Sequence, residues 1–149
     1  MPYSVAEAEA LRRFIKQDLL ASVLSAALLL GLAVVLSEPW FIAVSAAAAG
    51  VAVSLVFARR LTTTDPAKAV HVIADANWLC AVVVTAIVPV ALDITPLIVL
   101  MPLVLAIPYL PRRAFAGLIG AGVVVSVVLA MVGRLQEGAG LEAQAADWL

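Results

Sequence analysis

The sequence predicts an all-α fold: a polytopic integral membrane bundle of five transmembrane helices, with the N-terminus inside and the C-terminus outside. Three observations predict it. First, residues 78–113 read WLCAVVVTAIVPVALDITPLIVLMPLVLAIPYLPRR, with Asp93 as the single charge before Arg112-Arg113. A run apolar on every side for that length suits two crossings joined by a tight turn, not a helix on a water-soluble core. Second, 65% of the 149 residues are hydrophobic, 13% are charged and mean hydropathy is +1.15, whereas soluble domains carry about 25% charged residues. Third, cations fall on alternate connections. Arg12, Arg13, Lys16, Arg59, Arg60, Lys68, Arg112 and Arg113 lie on the N-terminal tail and on the loops after the second and fourth segments. The loops after the first and third carry only Glu38 and Asp93, and the tail after the fifth carries the ninth cation, Arg134, against Glu137, Glu142 and Asp147. Short loops rich in Lys and Arg stay on the cytoplasmic side, which sets the orientation.

Residues 1–17, MPYSVAEAEALRRFIKQ, form an amphipathic cytoplasmic lead-in expected at the membrane surface. Ser4 and Glu7 have capping-box spacing at its start. Leu11, Phe14 and Ile15 share one helical face. The apolar run that follows is too long for a cleaved signal peptide. Segment 1, about 19–36, has no charge and covers roughly 27 Å. Ser37-Glu38-Pro39 turns the chain, with Pro39 suited to the first turn of the next helix. Segment 2, about 40–58, starts on the belt aromatics Trp40 and Phe41. Its Ala46, Gly50 and Ser54 recur every fourth residue, a face small enough for another backbone to approach, and the helix is expected to pack inside the bundle.

Asp65-Pro66 is a strong helix start, Asp65 as N-cap and Pro66 at the first helical position. Helix 3 is expected to run to residue 92, with 76–92 as the crossing and a kink at Pro89. Trp78 is placed as an interface anchor. Asp93 to Pro96 form the outer turn. Segment 4, about 96–110, carries Pro96, Pro102 and Pro108, and Tyr109 is placed as a second anchor. Segment 5, about 114–133, contains AGLIGAG, where Ala116 with Gly120 and Gly117 with Ala121 form the second small-residue face. Residues 134–149 are either an extracytoplasmic tail or the start of a missing sixth helix, with Leu141, Ala145 and Trp148 as a weak interfacial face.

Candidate chemistry is sparse. His71 and Asp75, i and i+4 on helix 3, are a candidate pH-responsive pair, because histidine titrates near neutrality. A solvated cytoplasmic helix extension is the simpler account of them, since exposed pairs of this kind are common and weak. Asp75 with Asn77, and Asp93, are placed at the headgroup boundary; drawn inward they would be functional candidates. No phosphate loop, zinc spacing, nucleophile elbow or catalytic carboxylate pair occurs, so neither catalysis nor a cofactor nor a metal is expected. A net charge of −1 excludes nucleic-acid binding by overall field. The single Cys80 has no partner for an internal disulfide.

The LRRFIKQ lead-in, the lack of long loops and an end that anticipates a further helix resemble the multi-helix N-terminal membrane input domains of bacterial sensor kinases and nucleotide cyclases. The Ala, Val and Arg bias matches a GC-rich, actinobacterial-like genome. The resemblance implies a sensory or anchor module in the cell (inner) membrane, without catalysis of its own. The alternatives are an accessory subunit of a membrane complex and a small transporter or channel component. Expected partners are the lipid bilayer and either further copies of the chain or other membrane helices.

Overall fold

The computed structural model describes the backbone of residues 5–88 and 95–146, and the side chains of residues 6–88 and 97–136. The described chain forms five helices: α1 Val5–Leu36, α2 Trp40–Leu61, α3 Pro66–Ile87, α4 Thr95–Ala106 and α5 Arg112–Ala146. No strand occurs among the described residues. Four of the helices are long and apolar enough to cross a membrane. The exception is α4, whose 12 residues rise about 18 Å against a hydrocarbon core of about 30 Å.

Side-chain bonds between helices fix their order. Arg12 Nε donates to Thr62 Oγ1 at 3.3 Å, and Ser45 Oγ donates to the Ala26 carbonyl at 2.8 Å, so α1 and α2 are antiparallel. Gly122 lies against Trp78, and Gln136 Nε2 donates to the Thr85 and Ala86 carbonyls, so α5 runs parallel to α3. Tyr109 OH donates to the Glu7 carbonyl at 2.8 Å, which brings the end of α4 to the start of α1. The chain thus weaves up and down. The starts of α1, α3 and α5 gather at one end with the finishes of α2 and α4. Arg12, Arg13, Lys16, Arg59, Arg60, Lys68, Arg112 and Arg113 all belong to that end.

The buried core is weighted toward the same end. It includes Leu11, Ile15, Leu55, Ala58, Val70, Ile73, Trp78 and Tyr109. The outer surface is apolar: Leu28 is 65% exposed, Val34 77% and Leu79 67%. A water-soluble monomer does not show so many contiguous apolar side chains to solvent. With hydrocarbon as the surroundings, that surface is satisfied.

Four helix limits differ from the sequence expectation, each for a local reason. The lead-in is not a separate surface helix, because α1 is continuous from Val5 and buries Leu11 and Ile15 completely in the bundle. Nothing between residues 14 and 22 breaks a helix. Its 32 residues give about 48 Å, enough to cross and still project. Helix α3 stops at Ile87 instead of kinking. The residue before a proline is pushed out of the α region, and Val88 sits at φ −127°, ψ 92° ahead of Pro89. The same effect ends α4 at Ala106, two residues before Pro108, where 110 was expected. Helix α5 runs 13 residues past Gly133, since scattered glycines weaken a helix without stopping it.

The α1–α2 turn is tight. Ser37 adopts φ 56°, the one non-glycine residue with positive φ among those described. Left-handed backbone costs an ordinary residue about 1–2 kcal/mol. Phe41 N–H donates to the Glu38 carbonyl and Ile42 N–H to the Pro39 carbonyl, which starts α2 directly after Pro39.

Candidate functional site

The small-residue faces do not lie where the bundle closes. Ala46 and Gly50 are exposed, and Ser54 is half-buried with its hydroxyl returned to the Gly50 carbonyl at 3.0 Å. Helix α2 packs through Val44, Ser45, Val51, Ala52, Leu55 and Ala58 instead. Its flanks are taken by α1 and α3, and the predicted face is left over. There it walls an open, mainly apolar groove of about 460 Å³ between α2 and α3, floored by Ala76, Leu79, Cys80 and Val83. A Cβ added at Gly50 would meet nothing within 4 Å.

Helix α5 follows the same pattern. Ala116, Gly117, Gly120 and Ala121 are all exposed. The packed stripe is Leu118, Gly122, Val125 and Leu129. AGLIGAG holds a further small position, Gly122, and that one faces Trp78. A Cβ there would sit 3.5 Å from the Trp78 ring and 3.4 Å from Leu103. The sequence pattern offered several registers, and the bulky ring selects among them.

Trp78 and Tyr109 are bolts of the bundle, not interface anchors. Trp78 is buried, and its indole Nε1 donates to the Val99 carbonyl at 3.1 Å. Pro102 lies three residues on, inside α4, where its missing N–H already interrupts the helix ladder. Tyr109 is buried against the core and tied to Glu7.

The polar residues of α3 separate into two groups. Asp65 caps the helix: its Oδ1 accepts from the Lys68 backbone N–H at 3.1 Å, and its Oδ2 pairs with Lys68 Nζ at 3.3 Å. The bond from the Lys68 backbone, then the nearby Lys68 ammonium and His71, hold the Asp65 carboxyl below its usual range. His71 Nδ1 lies 2.8 Å from the Ala67 carbonyl. A carbonyl only accepts, so Nδ1 carries the proton in that contact. Asp75 is exposed, and no ion pair joins it to His71 among the described residues. The ring of His71 is thus turned back onto its own helix at Ala67 rather than paired with Asp75. Asn77 Nδ2 donates to the Ile73 carbonyl at 2.9 Å, within its own helix. Asp93 lies outside the described residues. No cluster of three or more His, Cys, Asp or Glu suited to a metal occurs among the described residues.

Three polar groups escaped the sequence reading. Asp18 stands seven residues after Leu11 and three after Ile15, on the core face of α1, and its Oδ2 is buried without a hydrogen-bond partner. The signal was present: the stripe 11, 15, 18, 22 inserts a carboxylate into an otherwise buried seam. Thr62 is buried, donates to the Arg59 carbonyl at 2.8 Å and accepts from Arg12. Gln136 Nε2 reaches the Thr85 carbonyl at 3.1 Å and the Ala86 carbonyl at 2.8 Å. Pro89 has no N–H to serve the Thr85 carbonyl, so α5 supplies the donor.

The cationic end holds a second concavity. Arg12, Arg13 and Lys16 of α1 and Arg59 of α2 line an open groove of about 380 Å³. Glu9 pairs with Arg13 at 3.7 Å, in solvent. Arg12, Lys16 and Arg59 have no carboxylate within ion-pair distance among the described residues.

No family model, curated protein or solved structure matches this chain. Its chemistry must be read from its own surfaces. Those surfaces are a mainly apolar groove between α2 and α3 and a groove lined by four cations, of which Arg13 pairs with Glu9.

Proposed function

We propose that this chain is a non-catalytic, multi-pass membrane module that works by holding a partner transmembrane helix in the groove between α2 and α3. The observation that carries it is the face formed by Ala46, Gly50 and Ser54, which the described residues leave open. Lipid tails are as apolar as leucine, so helix association in a bilayer depends on close packing, and small residues permit it. A groove with its small side outward is complementary to a helix ridge. In this reading the chain passes the inner membrane five times, the short α4 making the fourth pass together with the apolar residues 107–110 that follow it, with the cationic end inside and the end of α5 outside. Cys80 in the groove floor supplies the test. In native membranes, a thiol-reactive crosslinker at Cys80 is expected to give a higher-mass adduct, lost on Gly50→Leu. Monomer alone in wild-type membranes removes the proposal.

A second reading, the input module of a signalling protein, draws on α5. Its 35 residues extend about 52 Å, well past the hydrocarbon thickness, as a helix that conveys movement beyond the bilayer does. A reporter fused after Leu149 tests the orientation that both readings share. Activity outside agrees with five crossings, whereas activity only in the cytoplasm overturns the orientation.

A further inference from the structure

We propose that the groove lined by Arg12, Arg13, Lys16 and Arg59 binds the phosphate headgroup of an anionic phospholipid. The inference rests on the bilayer placement above and not on the helix-docking reading. Four cations converge on one groove from two helices, against the single carboxylate of Glu9. Arg12 is held by Thr62, so α1 and α2 are pinned together where the groove forms. Guanidinium groups match phosphate oxygens in planar, paired hydrogen bonds, and a pocket built by two helices confers selectivity that a flat surface lacks.

The groove's surroundings identify the source of the phosphate. Residues 12, 16, 20, 24 and 28 form one slowly winding ridge on α1. Its first two members are cationic and the next three are Leu20, Leu24 and Leu28, all more than 60% exposed. On α2, Arg59 is followed toward the opposite end by exposed Phe57, Val56 and Val53. A charged cup that continues into an apolar wall has the profile of a diacyl lipid: phosphate in the cup, acyl chains along the wall. A free phosphate would use only the cup.

The experiment uses the full chain in dodecyl maltoside, titrated with dioleoyl phosphatidylglycerol, with dioleoyl phosphatidylcholine and inorganic phosphate as separate arms. Binding is read by native mass spectrometry and by thermal melting. Phosphatidylglycerol is expected to bind and raise the melting temperature, and the Lys16→Gln, Arg59→Gln double variant to weaken it about tenfold. Arg112→Gln with Arg113→Gln, which removes equal charge from the same end, is expected to stay within about twofold of wild type. Lys16→Arg with Arg59→Lys keeps both charges and is expected to retain binding, which separates lost charge from lost folding. The proposal is overturned if the two charge-removing variants weaken binding equally, if the charge-preserving variant loses it, or if phosphatidylcholine binds as well. It is also overturned if inorganic phosphate displaces the lipid at matching concentration, which assigns the groove to a free anion. None of these outcomes touches the bilayer placement, which fails separately if the chain stays monodisperse after detergent is removed.

Discussion

At the residue scale, single polar contacts decide what the apolar majority leaves open. Trp78 illustrates the point. Its ring fills the space beside Gly122, and its N–H closes on Val99. Trp78→Phe keeps most of the packing and removes the indole bond to Val99, so it is expected to cost about 0.5–1.5 kcal/mol in an SDS-titration unfolding measurement. No change would mean that the indole bond contributes nothing. Asp18 predicts the opposite sign. A buried carboxylate oxygen without a partner is a cost, and Asp18→Asn is expected to stabilise by about 1 kcal/mol or more in the same assay. Asp65 gives a pH dependence. Its folded-state pKa lies below 3.8, so the cap's contribution is present above that value and is lost as pH falls through the lower folded one. Asp65→Asn keeps an N-cap and is expected to flatten the acid limb of a melting-temperature profile, while the wild type keeps its slope.

At the scale of the element, prolines set the ends and other helices repair them. Pro89 ends α3 and deprives the Thr85 carbonyl of its donor; Gln136, from α5, replaces it. Gln136→Leu is expected to cost about 1–3 kcal/mol, because the two bonds that Nε2 gives to the end of α3 are lost. Gln136→Glu is expected to cost at least as much, since an ionised carboxylate only accepts. Equal stability of wild type and Gln136→Glu would show that water serves those carbonyls instead. The two outcomes are readable by hydrogen exchange at the last turn of α3. The sequence was informative here in proportion to how local the cause was. Asp65-Pro66 announced the start of α3 correctly, because capping needs only neighbours. The stop at Ile87 followed from Pro89 too, but kink and termination look alike in a sequence, and the deciding partner lies about 50 residues away at Gln136. The faces of α2 and α5 were legible only as surfaces able to pack, for a related reason. Small residues at four-residue spacing mark a surface that can pack, and which of several such surfaces does pack depends on where Trp78 and α1 happen to fall.

At the scale of the molecule, the alternation of charge along the chain becomes a polarity in space. Every cation before Arg134 is carried to one end by the weave of the helices, and the largest part of the buried core lies there as well. The opposite end carries the Ser37 turn and the Gln136 cap. Cutting the chain in the exposed Thr63-Thr64 turn is expected to leave two pieces, 1–64 and 65–149, that co-purify after co-expression. The first keeps the Arg12–Thr62 bond, the second keeps the Asp65 cap, and the α2–α3 seam joins them by preformed helices. Separate elution of two well-expressed pieces would show that the intact loop, not the seam, holds the halves.

Each helix leans chiefly on the one made just before it, and α5 leans also on α3. A ribosome releasing this chain would therefore hand every new hairpin a neighbour already seated in the bilayer, with no need to wait for distant sequence. One bond breaks that pattern: the Tyr109 hydroxyl reaches back 102 positions to Glu7. It can form only after four segments have been threaded, so it serves as a clasp fastened late in biogenesis.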